Sequence, residues 1–171
     1  MDRAAHDALA LERLELRHDS WGIDHGAWSI LVHIFPKADI PVVQLSVNGD
    51  ITEHAAYKLG QKLASLREKG YLIMGSGNVV HNLRRVEWEN EHGNPAADRF
   101  DDAIKAAIEQ RDDKAVIDYH RYPDADYAVP TPDHFLPLLY ILGASKGETP
   151  YIFNNVRNLG SMALTGYAFG L

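Results

Sequence analysis

Between residues 52 and 69 the apolar positions recur at helical spacing. Ala55, Leu59, Leu63 and Leu66 form one stripe, while Lys58, Lys62 and Arg67 fall on the water-facing side. Gly70 follows as the stop signal for this helix. On either side of it the period changes. PVVQLSV, residues 41–47, is rich in β-branched residues and has the length of a buried strand. YLIMGSGN, residues 71–78, reads as a second buried strand running into a glycine-containing loop. Strand, helix, strand with short links predicts a parallel βαβ unit.

The remaining pattern is predominantly helical. Ala5, Leu9, Ala10 and Leu14 recur at helical spacing, and the alternation of Leu14, Leu16 and His18 fits a short strand. AWSILVHIF, residues 27–35, predicts a short buried helix stopped by Pro36, because proline cannot donate to the helical ladder. Phe100, Ile104, Ala107 and Ile108 mark another helix, continuing less regularly through AVIDYH. Residues 121–132 carry three prolines and no periodicity, which predicts a surface or site-covering loop. Thr131 offers an N-cap and Pro132 suits the first helical position of the apolar helix DHFLPLLYILGA, with Pro137 as a candidate kink. PYIFNN and SMALTGYAFG read as two closing strands.

This pattern predicts an α/β fold, a single domain over residues 1–171 with a mostly parallel central sheet flanked by helices. A hydrophobic content of 46% is enough for a real core. The net charge of −7 argues against nucleic acid or an anionic membrane surface as partner, since both need a basic footprint. No stretch approaches a membrane span, and the acidic start is unlike a signal peptide, so a cytoplasmic protein is expected. The absence of cysteine excludes a disulfide framework and a thiolate metal site. Any metal would be held by nitrogen or oxygen ligands, and nine histidines are available.

Three histidines stand at loops or element ends: His25 in DHGAW, His81 in SGNVVHN and His134 in TPDHFLPL. His81 follows the carboxyl end of an expected parallel strand, where ligands of open α/β sheets collect. It could equally do no more than hydrogen-bond its loop. His134 and His25 each head an apolar helix, and each could be an ordinary turn residue. His33, inside an apolar segment, reads as a core histidine, while His54, His92 and His120 read as solvated. Gly75, Gly77 and Asn78 hint at phosphate binding, but GSGN lacks the P-loop lysine and the full dinucleotide fingerprint.

DHGAW at 24–28, SGNVVHNL at 76–83 and TPDHFLPLLYILGA at 131–144, in that order, resemble the DOPA 4,5-dioxygenase type of class III extradiol ring-cleavage dioxygenases. The resemblance runs from Trp21 onward and includes PVVQLSV and the long helix after it. It implies a histidine-bound non-heme metal, Fe(II) for activity or Zn(II) in some preparations, that holds a small catechol and dioxygen and opens the ring beside the diol. Carried over by motif, His81 and His134 are metal-site residues, and His25 is similar to the residue that hydrogen-bonds substrate or bound oxygen. Imidazole titrates near neutrality and suits the transfer of a catechol proton.

Members of this type also carry upstream an HG motif after a strand and a second histidine in an S-x-H-W-like motif. Only His6 and His18 precede His25 here, in neither context. The resemblance therefore describes a C-terminal portion, expected to lack N-terminal strands of the sheet and to leave an edge open to self-association as a homo-oligomer. Three readings follow: a DOPA-like catechol dioxygenase, an inactive or oligomerising remnant with weak metal binding, and a zinc hydrolase. The last lacks an H-E-x-x-H motif.

Overall fold

The structure is a computed structural model that describes residues 22–171. The expected helix over 2–14 and the alternation at Leu14, Leu16 and His18 lie outside these residues, as does His6. Helix α1 spans His25–Ile34, capped by Asp24, whose carboxylate accepts from the Gly26 N–H at 2.9 Å. Helix α2 spans Glu53–Arg67, and the Thr52 hydroxyl caps it by accepting from the Ala55 N–H at 3.2 Å. Helix α3, Pro95–Glu109, starts where the Asn94 side chain accepts from two backbone donors and proline fills the first turn. Short helices α4, Asp113–Ile117, and α5, Ala125–Ala128, lead to α6, Leu136–Ala144.

The core forms around α6, which is apolar on nearly every side and buries seven of its nine residues. Leu59, Leu63 and Leu66 of α2 pack against it, and Phe100, Ile104 and Ile108 of α3 complete the same cluster. Gly60 and Gly143 allow α2 and α6 to approach at backbone distance. A methyl at Gly60 would overlap the Tyr140 carbonyl oxygen, and one at Gly143 would overlap that of Tyr57. Gly70 takes φ +84° after α2, the left-handed conformation that glycine adopts without a side-chain penalty. The expected helix boundaries here agree with the structure because a one-sided apolar stripe and a capping hydroxyl are local signals.

The sheet prediction is only partly met. The fold mixes helices with small antiparallel sheets, and the described residues show no parallel central sheet. β1, Tyr151–Phe153, pairs with β4, Gly166–Ala168, and β2, Arg157–Asn158, pairs with β3, Met162–Ala163. Residues 41–47 and 71–78 lie outside any helix or strand and form no ladder with any described residue. A strand requires a hydrogen-bonded neighbour, and β propensity supplies only the backbone shape. Tyr71 and Ile73 pack toward the core while Leu72 and Met74 face outward, so the second segment is covered on one face.

Helix α1 forms where the apolar run predicted one, yet it buries none of its residues. Trp28, Ile30, Val32 and Ile34 are about half exposed, and His33 is exposed rather than a core histidine. The expected loop over 121–132 contains α5. Thr131 stands at the N-cap position of a 3-10 turn, Pro132–His134, without a capping hydrogen bond. Pro137 lies in the first turn of α6, so it begins that helix instead of kinking it.

Candidate functional site

His81 is held by its own backbone from two sides. Its N–H donates to the Ala128 carbonyl at 2.9 Å, and it bridges to Met162 in an antiparallel pairing. The neighbouring residues extend that pairing: Ala163 N–H donates to Val80 O and Asn82 N–H to Ser161 O, both at 3.1 Å. Asn82, buried, adds side-chain bonds to the Tyr127 carbonyl at 2.6 Å and from the Arg84 N–H at 3.1 Å. The segment from Val80 to Asn82 is therefore held against Ser161–Ala163 by an isolated bridge at His81 and the hydrogen bonds on either side of it.

His134 ends the 3-10 turn that precedes α6. The next residue, Phe135, is completely buried between Phe100 and Tyr119, with ring centroids 6.3 and 4.2 Å away. That anchor leaves the partly exposed His134 ring outside the core, where it lies on His81. The two imidazoles are stacked with centroids 3.5 Å apart and planes 11° from parallel. Burial, reinforced by the His134 charge alongside, pushes the His81 imidazole below its usual pKa. A neutral imidazole keeps a nitrogen lone pair available, which is the form that binds a metal.

Asp133 adds a carboxylate to the pair, its Oδ2 standing 3.7 Å from His134 Nε2. A hydrogen bond from Thr131 holds the Asp133 carboxyl below the usual carboxylate range. His25 does not join the stack. It stands exposed at the start of α1, and its ring contact is with Trp28 at 5.1 Å. Its helix is nevertheless tied to the loop leading to His81, because Ser76 Oγ donates to the Gly26 carbonyl at 3.0 Å. His120 pairs with Glu53 at 2.9 Å on the surface, and His54 and His92 are exposed.

The sequence motifs thus name two histidines that the fold brings together and a third on an adjoining element. They do not reveal Asp133 as a neighbour of the ring, nor Gly77, Asn78 and Asn82 as the residues that hold the two segments against each other. Only GSGN just ahead of His81 pointed there, and as a phosphate motif it was uninformative.

The donor type suits a metal that takes nitrogen ligands. The number does not: among the described residues no group of three histidine, cysteine, aspartate or glutamate side chains could hold a metal ion. Two near-parallel rings also direct their lone pairs side by side instead of toward one point. The described residues alone therefore do not make a complete metal site, and one built on this pair would need at least one further ligand and a change in ring orientation.

Two partly desolvated imidazoles on a mixed helix and sheet scaffold define a candidate metal-type site, and comparison with known proteins supplies the family. Residues 3–170 match the profile described as the catalytic LigB subunit of aromatic ring-opening dioxygenase. The chain belongs to this family of metal-dependent dioxygenases. It is 38% identical over 148 residues to 4,5-DOPA dioxygenase extradiol of Escherichia coli K12, a match covering 84% of this chain and 55% of that protein. The protein of the same name from Beta vulgaris is 36% identical over 150 residues, covering 86% and 56% respectively. The chain spans about half the length of the curated relatives it matches. A crystal structure of an uncharacterized protein from Escherichia coli K12 superposes with a TM-score of 0.89 at 34% identity, covering 98% of this chain and 71% of the other.

Proposed function

We propose that this chain carries part of the active site of an extradiol ring-cleavage dioxygenase acting on a small, DOPA-like catechol and dioxygen. The observation that carries the reading is the stacked pair of His81 and His134, brought together from separate motifs in a chain of this family. In this reading the two imidazoles are nitrogen ligands of a non-heme metal, Fe(II) for activity, with Zn(II) able to occupy the same donors. A bound metal would supply the Lewis acidity and the redox chemistry of the ring opening.

The chain's own residues would do the rest. Burial favours the neutral His81 imidazole, ready to donate its lone pair, and the Ala128 and Met162 contacts hold the backbone from which it projects. His25 would take a proton from a catechol hydroxyl and return it to the product, as imidazole does near neutral pH. The Ser76 to Gly26 hydrogen bond supports this role by tying its helix to the same loop. The experiment is anaerobic addition of catechol to the Fe(II)-loaded chain, followed by oxygen uptake with DOPA and simple catechols. The expected result is a catechol-dependent absorption change that His81→Ala removes, and oxygen consumption. Persistence of the absorption change in the variant would remove the assignment.

A second reading is favoured by a different observation. Residues 41–47 and 71–76 have no ladder partner among the described residues, and Val42, Val43, Leu72 and Met74 within them are exposed. Such an edge supports self-association as a homo-oligomer, in a chain that binds metal weakly and does no oxygen chemistry. Sedimentation separates the two: a concentration-dependent oligomer with little metal and no oxygen uptake would favour the second.

A further inference from the structure

We propose that Gly77 and Asn78 are positioning residues that set the separation of His81 and His134, an inference that rests on the pair being part of the functional site. The loop carrying them runs directly against the turn that carries His134. The Asn78 backbone N–H donates to the His134 carbonyl at 2.9 Å. At Gly77 the approach is closer than any side chain allows. An added methyl would overlap the His134 carbonyl oxygen and stand 3.3 Å from Pro137 Cγ. The obstructing atom is backbone at the head of the buried helix α6, so it has little room to yield. Glycine is required at position 77 by this contact and not by an unusual φ, since Gly77 is not among the positive-φ glycines.

Asn78 works in two directions. Its main chain holds His134, while its side-chain Nδ2 donates to the Ala163 carbonyl at 2.9 Å. Ala163 is buried, and its own N–H returns to Val80. The Asn78 side-chain amide therefore fixes the start of the segment that delivers His81, on the same residue whose backbone N–H grips His134. With both attachments made, the two rings meet at 3.5 Å. Without them, His81 would remain bridged to β3 and His134 on the turn before α6, but nothing among these contacts would set the gap between the two.

The test compares Gly77→Ala, Asn78→Ala and, as a control, Gly49→Ala, where an added methyl meets nothing within 4 Å. The first readout is the NMR cross-relaxation between the His81 and His134 ring protons in the metal-free full chain. The reference is the contact between Phe100 and Phe135, whose centroids lie 6.3 Å apart in the core. Both site variants are expected to weaken the histidine contact severalfold or abolish it while the phenylalanine contact persists, and Gly49→Ala to change neither. If Gly77→Ala does not fold, Asn78→Ala decides. An unchanged histidine contact in the folded variants, or loss of both contacts together in Asn78→Ala, would overturn the proposal. The second readout is competition titration with Co(II), in which each site variant should bind about tenfold or more weakly, the usual scale for residues that orient a ligand. If the unmutated chain binds no Co(II), the ring-cleavage reading fails while the ring-contact result still stands or falls by itself.

Discussion

Arg157 Nε donates to the carboxylate of Asp101 at 2.9 Å, and Asp101 is completely buried. Burial pushes the Asp101 carboxyl above its usual range, and the bond and charge of Arg157, with the Thr165 hydroxyl, pull it back. A raised carboxyl binds a proton more readily in the native than in the unfolded state. Its contribution to stability is therefore greatest at low pH and is lost as pH rises through the folded value. Arg157→Gln leaves that carboxylate buried without its cation and raises its pKa further. We expect a loss of about 3–5 kcal/mol at pH 7, the scale for a broken buried pair, shrinking toward pH 5 as Asp101 becomes protonated. Urea unfolding at the two pH values checks this, and a loss independent of pH would contradict it.

The contact between α2 and α6 gives a second expectation. Gly60→Ala would drive a methyl into the Tyr140 carbonyl, and both helices are held by the core around them. Overpacking of this kind costs about 1–3 kcal/mol, so the melting temperature should fall by several degrees. Gly49→Ala should leave it unchanged. Equal melting of the two variants would mean that the helices separate without cost.

The proposed function gives His25 proton transfer and not metal binding, which makes its variant informative. His25→Gln should lower turnover of catechol about 100-fold to 10,000-fold, the range for a lost general acid or base, with metal content unchanged. Metal content that falls together with turnover would instead place His25 among the ligands.

The exposed apolar face predicts association through residues 41–47 and 71–76, which have no ladder partner among the described residues. Val43→Lys with Leu72→Lys places charge on both, which is how natural edges resist pairing. In sedimentation velocity the unmutated chain should form a concentration-dependent species that this double variant lacks. A monomer at every concentration for the unmutated chain would remove the homo-oligomer from consideration.

Much of the helical frame is readable along the chain because its signals are local. Leu59, Leu63 and Leu66 repeat with the helix, Thr52 supplies a capping oxygen and Gly70 the left-handed exit, so α2 lies close to where periodicity places it. Phe100, Ile104 and Ile108 mark α3 in the same way. Residues 41–47 are different. Val42, Val43 and Val47 favour an extended backbone, but a ladder depends on which other segment lies alongside, and no residue within the run encodes that. The exposure of α1, against its apolar pattern, has the same reason. An apolar helix is buried only if something covers it, and Trp28, Ile30 and Val32 are left about half exposed.

The sequence by itself determined the family, through three motifs in order, and named the imidazoles proposed for its site. It also determined the exclusion of thiolate ligands and the positions of the longer helices. Only the tertiary structure decided that His81 and His134 touch, that His25 stays with Trp28, and that Asp133 stands beside the His134 ring. Spacing along a chain fixes the face of an element on which a residue lies. The distance between residues on different elements is fixed by how those elements pack, here by the buried Phe135 on one side, β3 on the other, and a glycine small enough to let the two segments meet.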